Sequence, residues 1–493
     1  MLFNSYSFIL FFPIVLIVYF LIPAKVKYIW LLIASYFFYM CWNVKYILLI
    51  LISTLITWGS SLLMENRQIK IKKRIVAICI ISNMGILAFF KYFDFILDNI
   101  NVVMKSTGLQ LINNPFDIVL PVGISFYTFQ AVSYTIDVYR EEVAAEKNFA
   151  KYALFVSFFP QLVAGPIERS KTLMHQISEI KNMRLWDYER ITSGAKLMLW
   201  GYFLKMVIAD RLAIYVDAVW SNYKTFGSTA LVIAAIFFSI QIYCDFNSYS
   251  TIAVGAARIM GINLMQNFDT PYFSTSIKDF WRRWHISLST WLKDYVYIPL
   301  GGNRCSKGKK YFNLMVIFLV SGLWHGANWS YVIWGGLHGA FQIIGEIKNA
   351  LLDKFFIKHK VYRCTFSYKL GQMCVTFLLV TIAWIFFRSE TPNDAIMYIY
   401  RMLTCSDYWI IPQRLYLNYG LNQTQFTIAI VSITILIIAD AVQYVKKQNL
   451  IQIISGEILI FRWLIYLSLI FFILIFGVYG PSVDAKQFIY FQF

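Results

Sequence analysis

Long apolar segments separated by short polar ones dominate the pattern of the 493-residue chain. A helix that crosses the hydrocarbon core of a bilayer needs about 20 mostly apolar residues. Such segments recur along the whole sequence and predict an all-α polytopic membrane protein with roughly 10–12 transmembrane and re-entrant helices. Polar residues interrupt some candidates, which are therefore weaker. The weaker candidates are 118–136, 150–165 and 192–220, and the clear ones are 8–22, 29–42, 46–64, 75–97, 228–246, 312–324 with 328–344, 371–387, 425–442 and 460–479.

No linker, low-complexity tract or internal repeat divides the chain, so we expect a single domain over residues 1–493. Hydrophobic residues make up 59% of the sequence and charged residues only 14%, whereas a soluble domain has about 25% charged residues. This balance excludes a disordered chain, a disulfide scaffold and an ordinary cytosolic enzyme. The seven cysteines have no paired spacing, so neither a disulfide nor a metal cluster is expected.

The few charged residues are unbalanced, with 44 Lys and Arg against 26 Asp and Glu and a formal net charge of +18. Segments 65–74, 270–310 and 345–369 together hold 19 of the basic residues and only 5 of the acidic ones. Loops rich in Lys and Arg favour the cytoplasmic side of a membrane, so we place these segments there. A nucleic-acid partner is not expected, because no basic module with a core of its own is present.

The same rule orients the chain in the membrane. Three predicted spans precede the basic segment 65–74, which places the N-terminus outside the cytoplasm. Lys446 and Lys447 precede the last span and are expected inside, which places the tail 480–493 outside. The sequence thus predicts a multi-pass protein of the cell membrane with both ends on the extracytoplasmic side.

An aromatic and basic segment in the middle of the chain keeps a helical period although it is polar. Phe280, Trp284, Leu288 and Trp291 lie at spacings that share one face of a helix. Composition favours an amphipathic helix in the membrane interface, with its tryptophans at the level of the lipid headgroups. The alternative is a helix that lines a cavity open to the cytoplasm, in which basic residues would meet an anionic substrate and His285 would point inward.

His325 is the most informative of the five histidines. It lies in a stretch from Phe312 to Gly345 that contains no Lys, Arg, Asp or Glu. An ionisable side chain at membrane depth is costly and is by default a functional residue. A buried imidazole stays neutral at neutral pH and can accept a proton from an attacking hydroxyl. The alternative is a neutral histidine that bonds a helix carbonyl.

Small residues surround His325 and would let a ligand or another backbone approach closely, which favours the functional interpretation. His338 has similar surroundings without polar neighbours, so we interpret it as a packing or supporting residue. His175 and His359 lie in charged stretches and are interpreted as solvated. The small residues around His325 are Ser321, Gly322, Gly326 and Ala327.

Two long motifs carry a family resemblance, DFWRRWHISLSTWLKDYVYIPLGGNR at 279–304 and SGLWHGANWSYVIWGGLHG at 321–339. Two shorter stretches add to it, FFPQLVAGPIERS at 158–170 and LPVGISFYTFQ at 120–130. Together they resemble the membrane-bound O-acyltransferase (MBOAT) family, in its bacterial alginate O-acetyltransferase branch. The resemblance implies a horseshoe of membrane helices around a transmembrane tunnel, which the acyl donor enters from the cytoplasm and the acceptor from the other side.

The resemblance also implies roles for single residues. His325 matches the catalytic histidine of the family, and His285 matches its second active-site position. Other residues of the two long motifs are expected to bind the donor or to line the tunnel. These are Trp281, Arg282, Arg283, Trp324 and Asn328.

Acetyl-CoA is the expected acyl donor, and neither a bound cofactor nor a metal ion is expected. The phosphates of acetyl-CoA would bind to Arg282 and Arg283. Three lysines could bind the same phosphates or could equally determine the topology, namely Lys307, Lys309 and Lys310. An acyl carrier protein is the alternative donor.

The chain ends in the aromatic sequence FIYFQF at 488–493. One interpretation is an aromatic anchor in the membrane interface. The sequence also resembles the C-terminal motif of small partner peptides in teichoic-acid D-alanylation. That resemblance implies that Tyr490 accepts the acyl group as an ester, with His325 as the base, and passes it to an extracytoplasmic partner.

The resemblance therefore implies an enzyme that moves an acyl group, expected to be acetyl, from a cytoplasmic thioester to an extracytoplasmic polysaccharide. Alginate, peptidoglycan and other glycans remain open as acceptors, and the last transfer would need a separate serine esterase-like (SGNH-type) partner. D-alanyl transfer from a carrier protein to teichoic acid is the alternative. A transporter of an intact acyl donor or lipid is an alternative of another class, which would need paired charges within the spans. Asp210, Asp245 and Asp440 are scattered along the sequence, and Asp245 either lines the tunnel or bonds a neighbouring helix.

Overall fold

The computed structural model describes residues 1–116, 118–358, 365–479 and 488–489, with only the backbone for 353–358. Within these residues every regular element is a helix, which confirms the all-α fold class. Six helices are long and apolar enough to cross a membrane, and Tyr6–Leu21 is a shorter apolar helix. The chain is therefore a multi-pass membrane protein. The six helical segments are Val44–Met64, Ile69–Ser106, Ser228–Ile259, Phe366–Arg388, Gln423–Lys446 and Leu459–Phe476.

Residues 1–198 and 249–265 form the first of two compact units. Its helices follow the apolar pattern, and 150–165 breaks into two helices at Phe158. The break leaves Pro160 in the first turn of the second helix, where proline is tolerated, rather than in the interior of a continuous one. The single domain over residues 1–493 stays a prediction. The helices are α1 (Tyr6–Leu21), α2 (Lys27–Met40), α3 (Ile47–Met64), α4 (Ile69–Ser106), α5 (Ile124–Tyr139), α6 (Phe149–Ser157), α7 (Phe159–Leu162), α8 (Ser170–Glu179) and α9 (Tyr188–Tyr202).

The burial of helix α5 explains why the segment 118–136 contains more polar residues than a lipid-exposed span. Nearly every residue of α5 is buried, including its serines, threonines and Gln130. Several of its polar side chains have partners in the protein: Ser133 and Thr135 donate to carbonyls of α5 itself, and Asp137 Oδ2 accepts from Ser170 Oγ at 2.5 Å. A helix enclosed by protein on all sides need not be apolar on all sides.

Residues 199–248 and 266–489 form the second unit. The weak candidate 192–220 is interrupted here by a π-helical turn over Phe203–Ala209. Helix α11 begins in this unit, and its residues from 249 onward belong to the first unit. The α-helices that begin here are α10 (Asp210–Ser221), α11 (Ser228–Ile259), α12 (Ile277–Arg283), α13 (Ile286–Leu292), α14 (Lys307–His325), α15 (Trp329–Lys358), α16 (Phe366–Arg388), α17 (Pro392–Thr404), α18 (Gln423–Lys446), α19 (Leu450–Ser455) and α20 (Leu459–Phe476).

Helices α11 and α20 are both apolar but differ in what surrounds them. In the most apolar window of each, 83% of the residues of α11 and 6% of those of α20 are buried. A helix that is apolar and exposed on most of its surface suits contact with lipid chains. Helix α20 therefore faces lipid, whereas α11 belongs to the protein interior.

Glycines bring α14 and α15 into backbone contact. A Cβ atom on Gly335 would lie 2.1 Å from the Phe318 carbonyl oxygen, and one on Gly322 would lie 2.3 Å from the Tyr331 carbonyl oxygen. A Cβ on Gly326 would meet the ring of Tyr331 at 2.2 Å. The small residues near His325 predicted that a ligand or another backbone could approach closely. In the structure the backbone of α15 makes this approach.

Replacing Gly335 by Ala is expected to destabilise the protein by about 1–3 kcal/mol, because the new methyl group overlaps a backbone oxygen that no rotamer can move. Gly345→Ala in the same helix is the matched control, since nothing lies within 4 Å of the position that its new methyl group would take. Thermal unfolding of both variants in detergent measures the effect. An unfolding midpoint of Gly335→Ala equal to that of the control would contradict the packing described here.

Candidate active site

His325 is the last residue of α14 and is 3% exposed. Three aromatic rings from α14, α15 and α16 surround its imidazole. The ring centroids lie 5.0 Å from Trp324, 5.0 Å from Trp334 and 5.4 Å from Phe387. These rings enclose the imidazole in a largely apolar environment.

His285 lies between α12 and α13 and is fully buried. The predicted continuous helix is wrong at this point, because the chain leaves α12 at Trp284 and His285 adopts a left-handed backbone with φ 43°. Such a conformation costs a non-glycine residue about 1–3 kcal/mol. Asn267 holds the break, since its carbonyl accepts from Ile286 N at 3.0 Å and its Oδ1 from Ser287 N at 3.3 Å.

The apolar face predicted for this segment is enclosed by protein. Phe280, Trp284 and Leu288 are fully buried, and Trp291 is 7% exposed. An interfacial helix would present these side chains to lipid. The structure therefore argues against the interfacial helix, and His285 is buried within the protein. The cavity open to the cytoplasm stays a prediction.

The two histidines lie next to each other. Their ring centroids are 6.4 Å apart, and the ring of Trp324 lies 5.8 Å from that of His285. Phe246 on α11 contacts His285 from another side at 4.6 Å. Burial lowers the pKa of His285 to about 3, so its ring is neutral at physiological pH. General-base catalysis needs a base within hydrogen-bonding reach of the reacting hydroxyl, and the two neighbouring imidazoles are the candidates for that role here.

His338 occupies the far side of Trp334. Its ring lies 5.1 Å from Trp334, 5.1 Å from Trp281 and 6.1 Å from Phe280, and it is fully buried. Neither of its nitrogens has a hydrogen-bond partner among the described residues, and the same holds for the indole N–H groups of Trp281 and Trp334. Buried donors of this kind are rare unless a ligand or water satisfies them.

The side-chain amide of Asn328 forms two hydrogen bonds to the main chain. Its Oδ1 accepts from Ser330 N at 2.8 Å at the start of α15, and its Nδ2 donates to the Glu390 carbonyl at 2.6 Å. Both ends of the amide are thereby used. Asn328 positions the segment that follows His325.

The basic residues expected at the donor entrance divide into two groups. Arg283 is paired with Asp279 at 3.2 Å and with Asp269 at 3.5 Å. Lys310 is paired with Glu346 at 2.5 Å. Arg282 is exposed, as are the other two lysines of the expected set, Lys307 and Lys309. The exposed group is better placed to meet an anionic ligand, because the acids already neutralise Arg283 and Lys310.

Three further sequence predictions have different outcomes. His175 is exposed on α8, as expected for a solvated residue. His359 lies outside the described residues. Tyr490 also lies outside them, although Phe488 and Ile489, the two residues before it, are described and buried.

Sequence reasoning missed two groups near the site. Trp384 and Phe387 on α16 are each 1% exposed and contact Trp334 at 5.5 and 5.1 Å. Their spacing of three residues in an apolar helix was the available signal. The second group is an ionic cluster. Asp210 and Asp245 are scattered in the sequence but meet in the structure, where their Oδ1 atoms lie 2.9 and 2.6 Å from Lys205 Nζ.

Comparison with known proteins decides the family. The sequence profile of the membrane-bound O-acyltransferase family matches residues 18–387, a range that contains both His285 and His325. The chain belongs to this family. It is therefore an acyltransferase, and the transporter alternative falls away.

The proteins to which this membrane-bound O-acyltransferase is similar include two kinds of O-acetylating enzyme. The chain is 40% identical over 402 residues to the probable alginate O-acetylase AlgI of Pseudomonas syringae, covering 80% of this chain and 74% of that protein. It is 36% identical over 427 residues to the peptidoglycan O-acetyltransferase of Helicobacter pylori, covering 80% and 78%. A teichoic acid D-alanyltransferase of Streptococcus thermophilus is 30% identical over 238 residues, covering 46% and 56%.

Proposed function

We propose that this enzyme takes an acetyl group from acetyl-CoA at the cytoplasmic side and delivers it to an extracytoplasmic polysaccharide. The observation that carries the proposal is the pair His325 and His285, buried side by side among aromatic rings with ring centroids 6.4 Å apart. The pair lies in the part of the chain that matches the family profile. A neutral, dry imidazole suits a general base.

The relatives support acetyl transfer to a polysaccharide over D-alanyl transfer. The alginate and peptidoglycan O-acetylating relatives align with 80% of this chain, whereas the D-alanyltransferase aligns with 46%. The identity to the O-acetylating relatives is also higher, at 40% and 36% against 30%. Acetylation of a glycan hydroxyl is therefore the activity we assign.

The donor would be held by two kinds of group. Exposed Arg282, Lys307 and Lys309 supply positive charge for the phosphates of acetyl-CoA. The buried indole N–H groups of Trp281 and Trp334 supply donors for the amide carbonyls of its pantetheine arm. No cofactor is needed, because the thioester carries the activated acyl group.

The first chemical step forms an ester on Tyr490. His325 takes the phenolic proton while the phenol oxygen attacks the thioester carbonyl carbon. The carbon–sulfur bond breaks, and the thiolate leaves with the proton that His325 returns. His285 hydrogen-bonds the carbonyl oxygen as charge builds on it.

The second step takes place outside the cytoplasm. A hydroxyl attacks the tyrosyl ester, the acetyl group moves to that hydroxyl, and Tyr490 recovers its proton. A serine esterase-like partner would supply the first hydroxyl and transfer the group to the glycan. This route needs the C-terminal end of the chain on the extracytoplasmic face of the cell membrane. The distribution of Lys and Arg predicts both ends on that face.

The test is labelling of the purified enzyme with radiolabelled acetyl-CoA, followed by peptide mapping. Label is expected on Tyr490 and is expected to disappear in Tyr490→Phe, which keeps the ring and removes the attacking oxygen. Tyr479→Phe, eleven residues earlier in the sequence, is the matched control and should keep the label. Unlabelled Tyr490 in the wild-type enzyme would overturn the tyrosine route, and labelling only from an acyl carrier protein would overturn the donor.

A further inference from the structure

A buried ionic cluster lies on the second unit, away from the histidines in sequence. Lys205 lies in the π-helical turn, and its Nζ is 2.6 Å from Asp245 Oδ1 on α11 and 2.9 Å from Asp210 Oδ1 at the start of α10. The side chains are 1%, 4% and 7% exposed. Single π-helical turns within helices are often found at functional sites.

The cluster brings two carboxylates to one ammonium group. A buried carboxylate needs further hydrogen-bond donors to offset its lost hydration. The main-chain N–H of Ile489 supplies one, donating to Asp245 Oδ2 at 2.6 Å. The ring of Phe488 covers the ammonium group of Lys205 at 4.2 Å.

We propose that the Lys205–Asp210–Asp245 cluster is the docking site of the chain's own C-terminal segment. It binds Phe488 and Ile489 and thereby sets the position of the next residue, Tyr490. The positioning role rests on the proposed function, in which Tyr490 accepts the acetyl group. The docking of the two preceding residues does not depend on it.

The contacts connect the docking site to the histidines within one unit. Asp245 binds the Ile489 N–H, and its neighbour on α11, Phe246, contacts the ring of His285 at 4.6 Å. The ring of His285 lies 6.4 Å from that of His325. One helix therefore carries both the carboxylate that holds the C-terminal segment and the ring that packs on the catalytic pair.

The docking site also sets the register of the segment. An aromatic side chain must face Lys205 while the N–H of the following residue faces Asp245. A slip of two residues would keep an aromatic on the lysine, but it would place Tyr490 in the docking site and remove its hydroxyl from the reaction. Phe488 and Ile489 are 1% and 7% exposed, so the observed register fills the site.

Two insertions test the positioning role. One alanine between Ile489 and Tyr490 leaves the docked residues unchanged and moves the tyrosine by about 3.3–3.6 Å. One alanine between Lys486 and Gln487 is the matched control, because it leaves the spacing from Phe488 to Tyr490 intact. The first insertion is expected to slow labelling of Tyr490 from acetyl-CoA more than about 100-fold, and the control should keep the wild-type rate. Equal rates in the two variants would overturn the positioning role.

Docking is measured separately by hydrogen exchange of the Ile489 amide in the intact enzyme, read from the C-terminal peptide. Slow exchange is expected in the wild type and fast exchange in Phe488→Ala, with the thermal unfolding midpoint confirming that the variant is folded. Fast exchange in the wild type, or slow exchange in both, would overturn the docking. Slow exchange in a wild-type enzyme whose Tyr490 takes no label would overturn the proposed function and leave the docking supported.

Discussion

Replacing His325 by Gln is expected to reduce the rate of acyl transfer about 10²–10⁴-fold, the usual contribution of a general base. Glutamine fills much of the same volume among Trp324, Trp334 and Phe387, so the aromatic enclosure is retained. Its amide cannot accept a proton from the attacking hydroxyl. The loss would therefore fall on the chemical step rather than on folding.

The measurement is the initial rate of label transfer from radiolabelled acetyl-CoA, with protein abundance and the unfolding midpoint recorded for each variant. His175→Gln is the matched control, because His175 is exposed on α8 and the same substitution there should leave the rate unchanged. A His325→Gln enzyme that keeps a rate within tenfold of the wild type would exclude His325 as the base.

Replacing Lys205 by Met should destabilise the fold by about 3–5 kcal/mol, the usual cost of removing one partner from a buried ion pair. Methionine has a similar length, so the effect reports the missing charge. Asp210 and Asp245 would remain buried as carboxylates without the ammonium group that lies 2.9 and 2.6 Å from them. Low abundance and early thermal unfolding are the expected results.

A neutralised cluster is the control for that variant. Changing Lys205 to Met together with Asp210→Asn and Asp245→Asn removes all three charges, and it should recover part of the lost stability because no unpaired carboxylate remains. Unfolding midpoints of the wild type, the single variant and the triple variant in the same detergent settle the comparison. A triple variant less stable than Lys205→Met would contradict the electrostatic explanation.

The sequence predicted the membrane class and singled out His325 for a clear physical reason, whereas the role of His285 is a prediction from the family resemblance. Apolar length is a direct consequence of bilayer thickness, and an ionisable residue such as His325 within such a segment is conspicuous. The break at His285 was not predictable. Phe280, Trp284 and Leu288 keep a helical spacing whether or not the helix is continuous. The left-handed backbone at His285 is held by hydrogen bonds that Ile286 and Ser287 donate to Asn267, which lies outside that periodic segment.

Contacts between distant parts of the chain were also beyond the sequence. Lys205 and Asp245 are forty residues apart, and nothing in either neighbourhood indicates that they pair. Arg283 and Lys310 counted toward the basic excess, although acids bound to each reduce the charge available to a donor. A charge count measures composition along the chain, whereas a ligand meets the field that remains after local pairing.

The glycine contact between α14 and α15 has a consequence for genetics. His325 ends α14, and the contact of Gly335 with the Phe318 carbonyl sets how deeply that helix lies against α15. A bulkier residue at position 335 would push the end of α14 aside and carry the imidazole with it. A screen for lost activity would therefore recover alleles at Gly322 and Gly335, and a low amount of protein in the membrane would distinguish them from alleles of His325.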